Sequence, residues 1–167
     1  MLIVSATNRR RGHLVAGQAR FACAIGRGGI IVMKREGDGG TPRADLPLRR
    51  LFYRADRLPR PHSRLASRKM TPCDAWCDDI HDRRYNRLIW RAAGEAEERL
   101  WRQDHLYDIV VELGWNDRPV RNRRGSAIFW HLARPSFTPT AGCVGTELST
   151  FQKLLPRLSR QCRISIR

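Results

Sequence analysis

The sequence predicts a mainly β domain with short helices, an α+β chain rather than a helical one. Three features support that. Short apolar runs recur along all 167 residues. Clusters of Gly, Pro, Asp and Asn separate them, as turns do between strands. Only two stretches suit a helix. Taken in order, "MLIVSAT" (1–7) and "ARFACAIG" (19–26) read as strands, divided by a polar turn that contains Gly12 and Gly17. "GGIIVMKREGDGGTP" (28–42) runs from a short apolar strand into a Gly-rich loop, and "LPLRRLFYRA" (46–55) resumes strand character. Residues 57–87 are rich in Arg, Pro and Asp and read as one long irregular segment, a lid or substrate wall; loops of that length are usually functional or mobile. Within it "WCDDIHDRRYN" (76–86) gathers aromatic, acidic and amide groups, and its bland reading is a surface loop held by Trp76 and Tyr85.

"AEERLWRQ" (96–103) suits a short helix. "LYDIVVELGWN" (106–116) and "GSAIFWHLA" (125–133) read as core strands, the second with His131 near its end. Ser149 and Gln152 have capping-box spacing, so a helix is expected to start near residue 150, and Pro156 to break it within two turns. "CRISI" (162–166) makes a last strand. No internal repeat and no composition shift divides the chain, so residues 1–167 read as a single domain.

The charge is +16, from 32 Lys plus Arg against 16 acids, and Lys occurs only at 34, 69 and 153. An arginine surplus suits carboxylate or phosphate partners, because the planar guanidinium can hold both oxygens. It allows a nucleic acid or a carboxylate-rich polymer, but the chain has neither zinc-finger spacing nor an aromatic RNA-binding signature. "GDGG" (37–40) lacks the Lys-Ser/Thr ending of a phosphate-binding loop. Five cysteines are an odd number. With Cys143 free, Cys23, Cys73, Cys77 and Cys162 allow up to two bridges, or all five stay reduced. "CDAWC" (73–77) puts two thiols one helical turn apart with no second pair, which argues against zinc. The first residues place an Arg cluster after the apolar stretch, the reverse of a secretory signal.

One cysteine has a distinctive setting, "PTAGCVGT" (139–146). Cys143 reads either as a nucleophile or as a small buried hydrophobe. A free thiol with a pKa of about 8.5 is mostly protonated at neutral pH and needs a base or cation beside it. Of His13, His62, His81, His105 and His131, only His131 ends a strand that leads through one loop into the Cys143 turn. Gly142 allows a close backbone approach, and amides at this turn suit a developing oxyanion. Thr140 can bond the turn or the substrate.

"IFWHLARPSFTPTAGCV" (128–144) resembles the active-site motif of the L,D-transpeptidase (YkuD-like) catalytic domain: a strand ending in His, a loop, and a turn with Gly-Cys before an aliphatic residue. "IGRGG…KREGDGGTP" is similar to the Gly-Thr-Pro segment of that family, and "WCDD…YN" and "LGWN" to stretches of its short single-domain branch. The resemblance spans roughly residues 20 to 166. It implies a curved mixed sheet or β-sandwich with a lid-like insertion, Cys143 as nucleophile, His131 as general base and acid, and Gly142 in the oxyanion-hole turn. It implies a peptidoglycan transpeptidase that forms a thioester with one stem peptide and transfers it to an amine of another, giving 3–3 or 1–3 cross-links. It also implies carbapenem acylation of the thiol, no cofactor or metal, and stem peptides as partners of a monomer in the periplasm or cell envelope. The turn departs from the pattern: the second His before Gly-Cys and the Arg after it are missing. Arg35 or Arg134 is expected to replace that charge, and Thr140, Tyr85, Asn116 and Trp76 complete the candidate substrate-binding set. Two rivals remain: an L,D-carboxypeptidase or endopeptidase that hydrolyses the same acyl-enzyme, and a basic module for nucleic acid or another anionic polymer with Cys143 merely structural.

Overall fold

The computed structural model describes residues 1–90 and 97–167. The strands, in chain order, are β1 (Leu2–Ala6), β2 (Arg11–Ala16), β3 (Ala19–Ala24), β4 (Ile30–Ile31), β5 (Thr41–Pro42), β6 (Asp45–Tyr53) and β7 (Ala66–Lys69). There follow β8 (Asp74–Cys77), β9 (Arg87–Trp90), β10 (Glu97–Arg99), β11 (Ile109–Leu113), β12 (Phe129–Leu132), β13 (Val144–Thr146) and β14 (Arg163–Ile166). One short α-helix, α1 (Leu148–Leu154), precedes β14.

Nine strands form one mixed sheet in the order β11-β12-β13-β3-β2-β1-β14-β6-β7. Because β11 also pairs with β6, the order returns on itself and the sheet closes. A small antiparallel sheet, β10-β8-β9, packs beside it, and β4 pairs with β5. The chain is thus mainly β with a curved sheet and, among the described residues, one short α-helix, as its apolar runs predict.

Alternation builds the core. In β1, Leu2 and Val4 are buried while Ile3 and Ser5 are only half-buried, the period-two pattern of a strand with one inner face. The same period splits β12. Trp130 enters the main core, where it stacks on Phe151 of α1 with ring centroids 4.2 Å apart, and its Nε1–H donates to Thr146 Oγ1 at 2.8 Å. Phe129 turns to the opposite side and meets Trp76 of β8 edge-on at 5.1 Å, in a second cluster that also holds Tyr107 and Cys143.

Several sequence expectations need correction. Residues 11–16, read as a turn, form β2, and Gly12 pairs with Ala6 on one side and Cys23 on the other. Pairing on both edges, with the strands just before and just after it, outweighs the turn-like composition of that stretch. The predicted helix at 96–103 begins outside the described residues; Glu97–Arg99 form strand β10, paired with Ala75–Cys77. Segment 57–87 is more regular than expected, since it contains β7 and β8 and contributes Leu65, Met70 and Trp76 to the cores. The helix starts at Leu148, with Glu147 at its N-cap position and no side-chain cap, so Ser149 lies inside the first turn. It ends at Leu154 before a 3-10 turn that contains Pro156. All five cysteines are free thiols. Cys73 and Cys77 flank an extended strand, not a helical turn, which separates their Cα atoms by about 13 Å at ~3.3 Å per residue.

Candidate active site

Strands β12 and β13 run parallel, with Trp130 opposite Val144 and His131 opposite Gly145. Cys143 lies one residue before β13, so the register continues to place it opposite Phe129. The Phe129 N–H donates to Cys143 Sγ at 3.3 Å, which agrees with that placement. Phe129 and His131 are two apart on one strand and share a face. The thiol and the imidazole therefore face the same side of the sheet, and both line one cavity of about 440 Å³.

The turn before Cys143 is held to residues 25–27, just past β3, by two main-chain hydrogen bonds, which together make one parallel bridge. Arg27 N–H donates to Thr140 O at 2.9 Å, Thr140 N–H donates to Ile25 O at 3.0 Å, and the bridge pairs Gly26 with Thr140. The Thr140 hydroxyl accepts from Gly142 N–H at 3.1 Å and donates to Cys143 O at 2.6 Å. Gly142 has φ +144°, and a Cβ there would lie 2.9 Å from Gly40 O. Only glycine fits, because both the dihedral and the space exclude a side chain. This is the physical sense of "GDGGTP": the Gly39-Gly40 backbone packs under the Cys143 turn, and buried Thr41 accepts from Gly26 N–H at 2.7 Å.

Burial shapes both reactive groups. The Cys143 thiol is 7% exposed, and loss of solvation pushes its pKa up to about 12; the Phe129 N–H and the Lys34 ammonium act against that, and the Glu98 carboxylate with it. The thiol donates to Ala127 O at 3.2 Å. His131 is 5% exposed, and burial pulls its pKa down to about 4, opposed by its bond to Leu132 O and aided by Arg102 and Arg134. A carbonyl can only accept, so His131 Nδ1, 2.8 Å from Leu132 O, carries the ring proton and leaves Nε2 as the basic nitrogen. At neutral pH the pair is a thiol and a neutral imidazole. The Tyr107 ring packs against His131 at 5.1 Å and fixes its plane.

The cavity walls are bipolar. Arg27, Lys34, Arg102 and Arg134 supply positive charge; Glu36, Asp78 and Glu98 supply negative charge. Burial and the Glu98 and Glu36 carboxylates raise Asp78 to about 6, and its Oδ1 is buried without a hydrogen-bond partner. Arg102 lies over the Tyr107 ring at 5.1 Å and donates to Asp104 at 2.6 Å.

A family model, YkuD, the L,D-transpeptidase catalytic domain, matches residues 1–166. The chain belongs to this family. No curated protein and no solved structure matches it. L,D-transpeptidases act on peptidoglycan peptides and are generally cysteine-dependent. No helix among the described residues is long and apolar enough to cross a membrane.

Against that family background the candidate residues fall into two groups. Cys143, His131, Gly142, Thr140 and Arg134 line the cavity. Trp76, Tyr85, Asn116 and Arg35 do not. Trp76 is buried behind Phe129 and donates to Asn86 Oδ1 at 3.0 Å. Tyr85 donates to Glu36, so it braces a wall carboxylate. Asn116 closes its own loop through Arg121 and Gly125. Arg35 is exposed beside the cavity, its N–H bonded to Asp38. Thr140 spends its hydroxyl on the turn. Sequence reading missed Lys34, Glu98, Tyr107 and Asn86. Asn86 gathers Trp76 Nε1–H and Ala127 N–H on one oxygen, which ties β8 to the segment whose carbonyl receives the thiol proton. Its only sequence signal was its place at the end of the aromatic-acidic "WCDDIHDRRYN" stretch.

Proposed function

We propose that this L,D-transpeptidase-family protein is a cysteine acyltransferase that cross-links peptidoglycan stems. The observation that carries the reading is the shared face and cavity of Cys143 and His131, with Nδ1 tied to Leu132 O so that Nε2 is the free base. Since burial disfavours an ion pair at rest, the proton moves as the substrate reacts. Sγ forms a bond to the carbonyl carbon of the donor's L-centred residue while His131 Nε2 takes the thiol proton. Collapse of the tetrahedral oxyanion breaks the amide bond, and His131 returns the proton to the leaving amine. The thioester is then attacked by an acceptor amine, which gives a proton to His131; the departing sulfur takes that proton back.

Because the Gly142 amide is already bonded to Thr140, the oxyanion donor on this turn is assigned to Cys143 N–H rather than to Gly142. The basic wall suits stem carboxylates, with Arg134 as one contact and Arg27 and Arg102 as others that residue spacing did not suggest. The acidic wall suits an acceptor ammonium. From that substrate class we infer a place in the periplasm or cell envelope, and we propose that the protein acts there as a monomer.

The test has two arms. Intact mass after meropenem treatment shows one adduct on the wild type and none on Cys143→Ala. Incubation with tetrapeptide and pentapeptide muropeptides yields dimers by mass spectrometry. Trimmed monomers alone assign hydrolysis by the same acyl-enzyme, an L,D-carboxypeptidase or endopeptidase. Salt-sensitive DNA binding with an unmodified thiol overturns both in favour of a basic binding module.

A further inference from the structure

The mechanism above leaves a buried charge of the cavity wall without a task. Lys34 is 4% exposed, lines the cavity that holds Cys143, and belongs to the same glycine-rich segment that underlies the Cys143 turn. Its Nζ donates to Asp38 Oδ1 at 2.6 Å and to Arg35 O at 2.9 Å, which uses two of its three N–H groups. Asp38 is in turn fixed by Arg35 N–H at 2.6 Å and Gly40 N–H at 2.9 Å. The stem of Lys34 fills a slot that the fold keeps open for it. Gly125 has φ +89°, and a Cβ there would sit 3.0 Å from Lys34 Cγ and 3.1 Å from Cε. Gly40, which bonds the Lys34 partner through its N–H, also offers the carbonyl that abuts Gly142. The ammonium and the nucleophile turn are thus two ends of one braced unit.

We propose that Lys34 is an electrostatic positioning residue of this active site: its buried ammonium favours the negative charge that develops on the Cys143 sulfur and on the tetrahedral oxygen. This rests on Cys143 being the nucleophile. A buried charge is screened by salt less than an exposed one, so the Lys34 ammonium, although partly offset by Asp38, acts on the sulfur with less screening than an arginine at the exposed rim. The charged and titratable groups that share the cavity with the sulfur are Arg27, Lys34, Glu36 and Asp78, Glu98 from β10, Arg102 and Tyr107 from the segment before β11, His131 from β12, and Arg134 from the loop after it. Glu98 opposes thiolate formation and Lys34 favours it.

The experiment reads the thiol itself, so it does not depend on cross-linking activity. Iodoacetamide alkylation of Cys143 is followed across pH by peptide mass mapping in wild type, Lys34→Met, Lys34→Arg and Asp38→Asn, each shown to be folded by its thermal melt. Lys34→Met is expected to raise the midpoint and slow alkylation at fixed pH by roughly three- to tenfold, a shift of about half to one pH unit. Lys34→Arg stays within about twofold of wild type. Asp38→Asn, which removes the neutralising carboxylate, moves the midpoint down. A loosened loop would expose the thiol and speed alkylation, the opposite of the Lys34→Met expectation, so a merely structural lysine is distinguishable. An unchanged or faster Lys34→Met overturns the proposal. If Lys34→Met does not fold, the Asp38→Asn midpoint decides, and an unchanged or raised value overturns it. Alkylation that follows the expected pattern while muropeptides remain untouched keeps this inference and removes the transpeptidase reading.

Discussion

Along β12, Trp130 turns to one side of the sheet while Phe129 and His131 turn to the other, and burial has a different meaning on each side. Trp130 is fully enclosed against Phe151, and its one polar atom is satisfied by Thr146. Enclosure there stabilises, since an apolar surface leaves water at little polar cost. On the opposite side His131 and Cys143 are nearly as enclosed, yet both can ionise, and enclosure holds both neutral. One face of four residues is built for stability. The other keeps a proton available for transfer.

The comparison is broken most completely by Cys143→Ala. The variant gives no thioester and no carbapenem adduct by intact mass, while its thermal melt stays near wild type. His131→Ala keeps the sulfur but removes the base, and its acylation rate falls about 10²- to 10⁴-fold, measured by stopped adduct formation at neutral pH. On the other face, Trp130→Ala costs about 3–5 kcal/mol of stability in denaturant, with the acylation rate of the folded fraction little changed. The two faces are sharpened by pH. The unfolded imidazole binds a proton below about 6.5, the native one only below about 4. Between those values the unfolded chain holds more protons, so His131 contributes stability that is lost as pH falls through the window. The loss approaches about 3 kcal/mol and is flattened in His131→Ala when denaturation midpoints are compared from pH 7 to 4. The smallest effect is at Arg35→Ala, which stands outside the cavity; its KM for a donor peptide is expected to match wild type.

How far the sequence revealed this arrangement depends on the range of the forces involved. Strands with strong apolar runs, such as 109–113 and 129–132, were legible because their own composition decides them. That His131 and Cys143 come to one cavity was legible because a single loop joins the end of β12 to the turn before β13. Residues 11–16 and 97–99 were not, because their extended form is imposed by the strands they pair with, β1 and β3 for the first and β8 for the second, rather than by their own composition. The cavity walls were least legible. Lys34, Glu98 and Tyr107 are brought to the site by three separate elements, and no local pattern records that convergence. Conversely, Trp76 and Asn116 stood out for their residue types but serve packing and loop closure.

The sulfur of Cys143 accepts a main-chain N–H from the adjoining strand, so the reactive atom is anchored in the sheet itself. A nucleophile seated that way stays put when different peptides arrive. Adaptation to a new donor or acceptor therefore falls to the outer wall, Glu36 and Gly37 on one bank and Arg102 and Arg134 on the other, which makes those positions the natural graft points for changing selectivity while leaving the reaction intact.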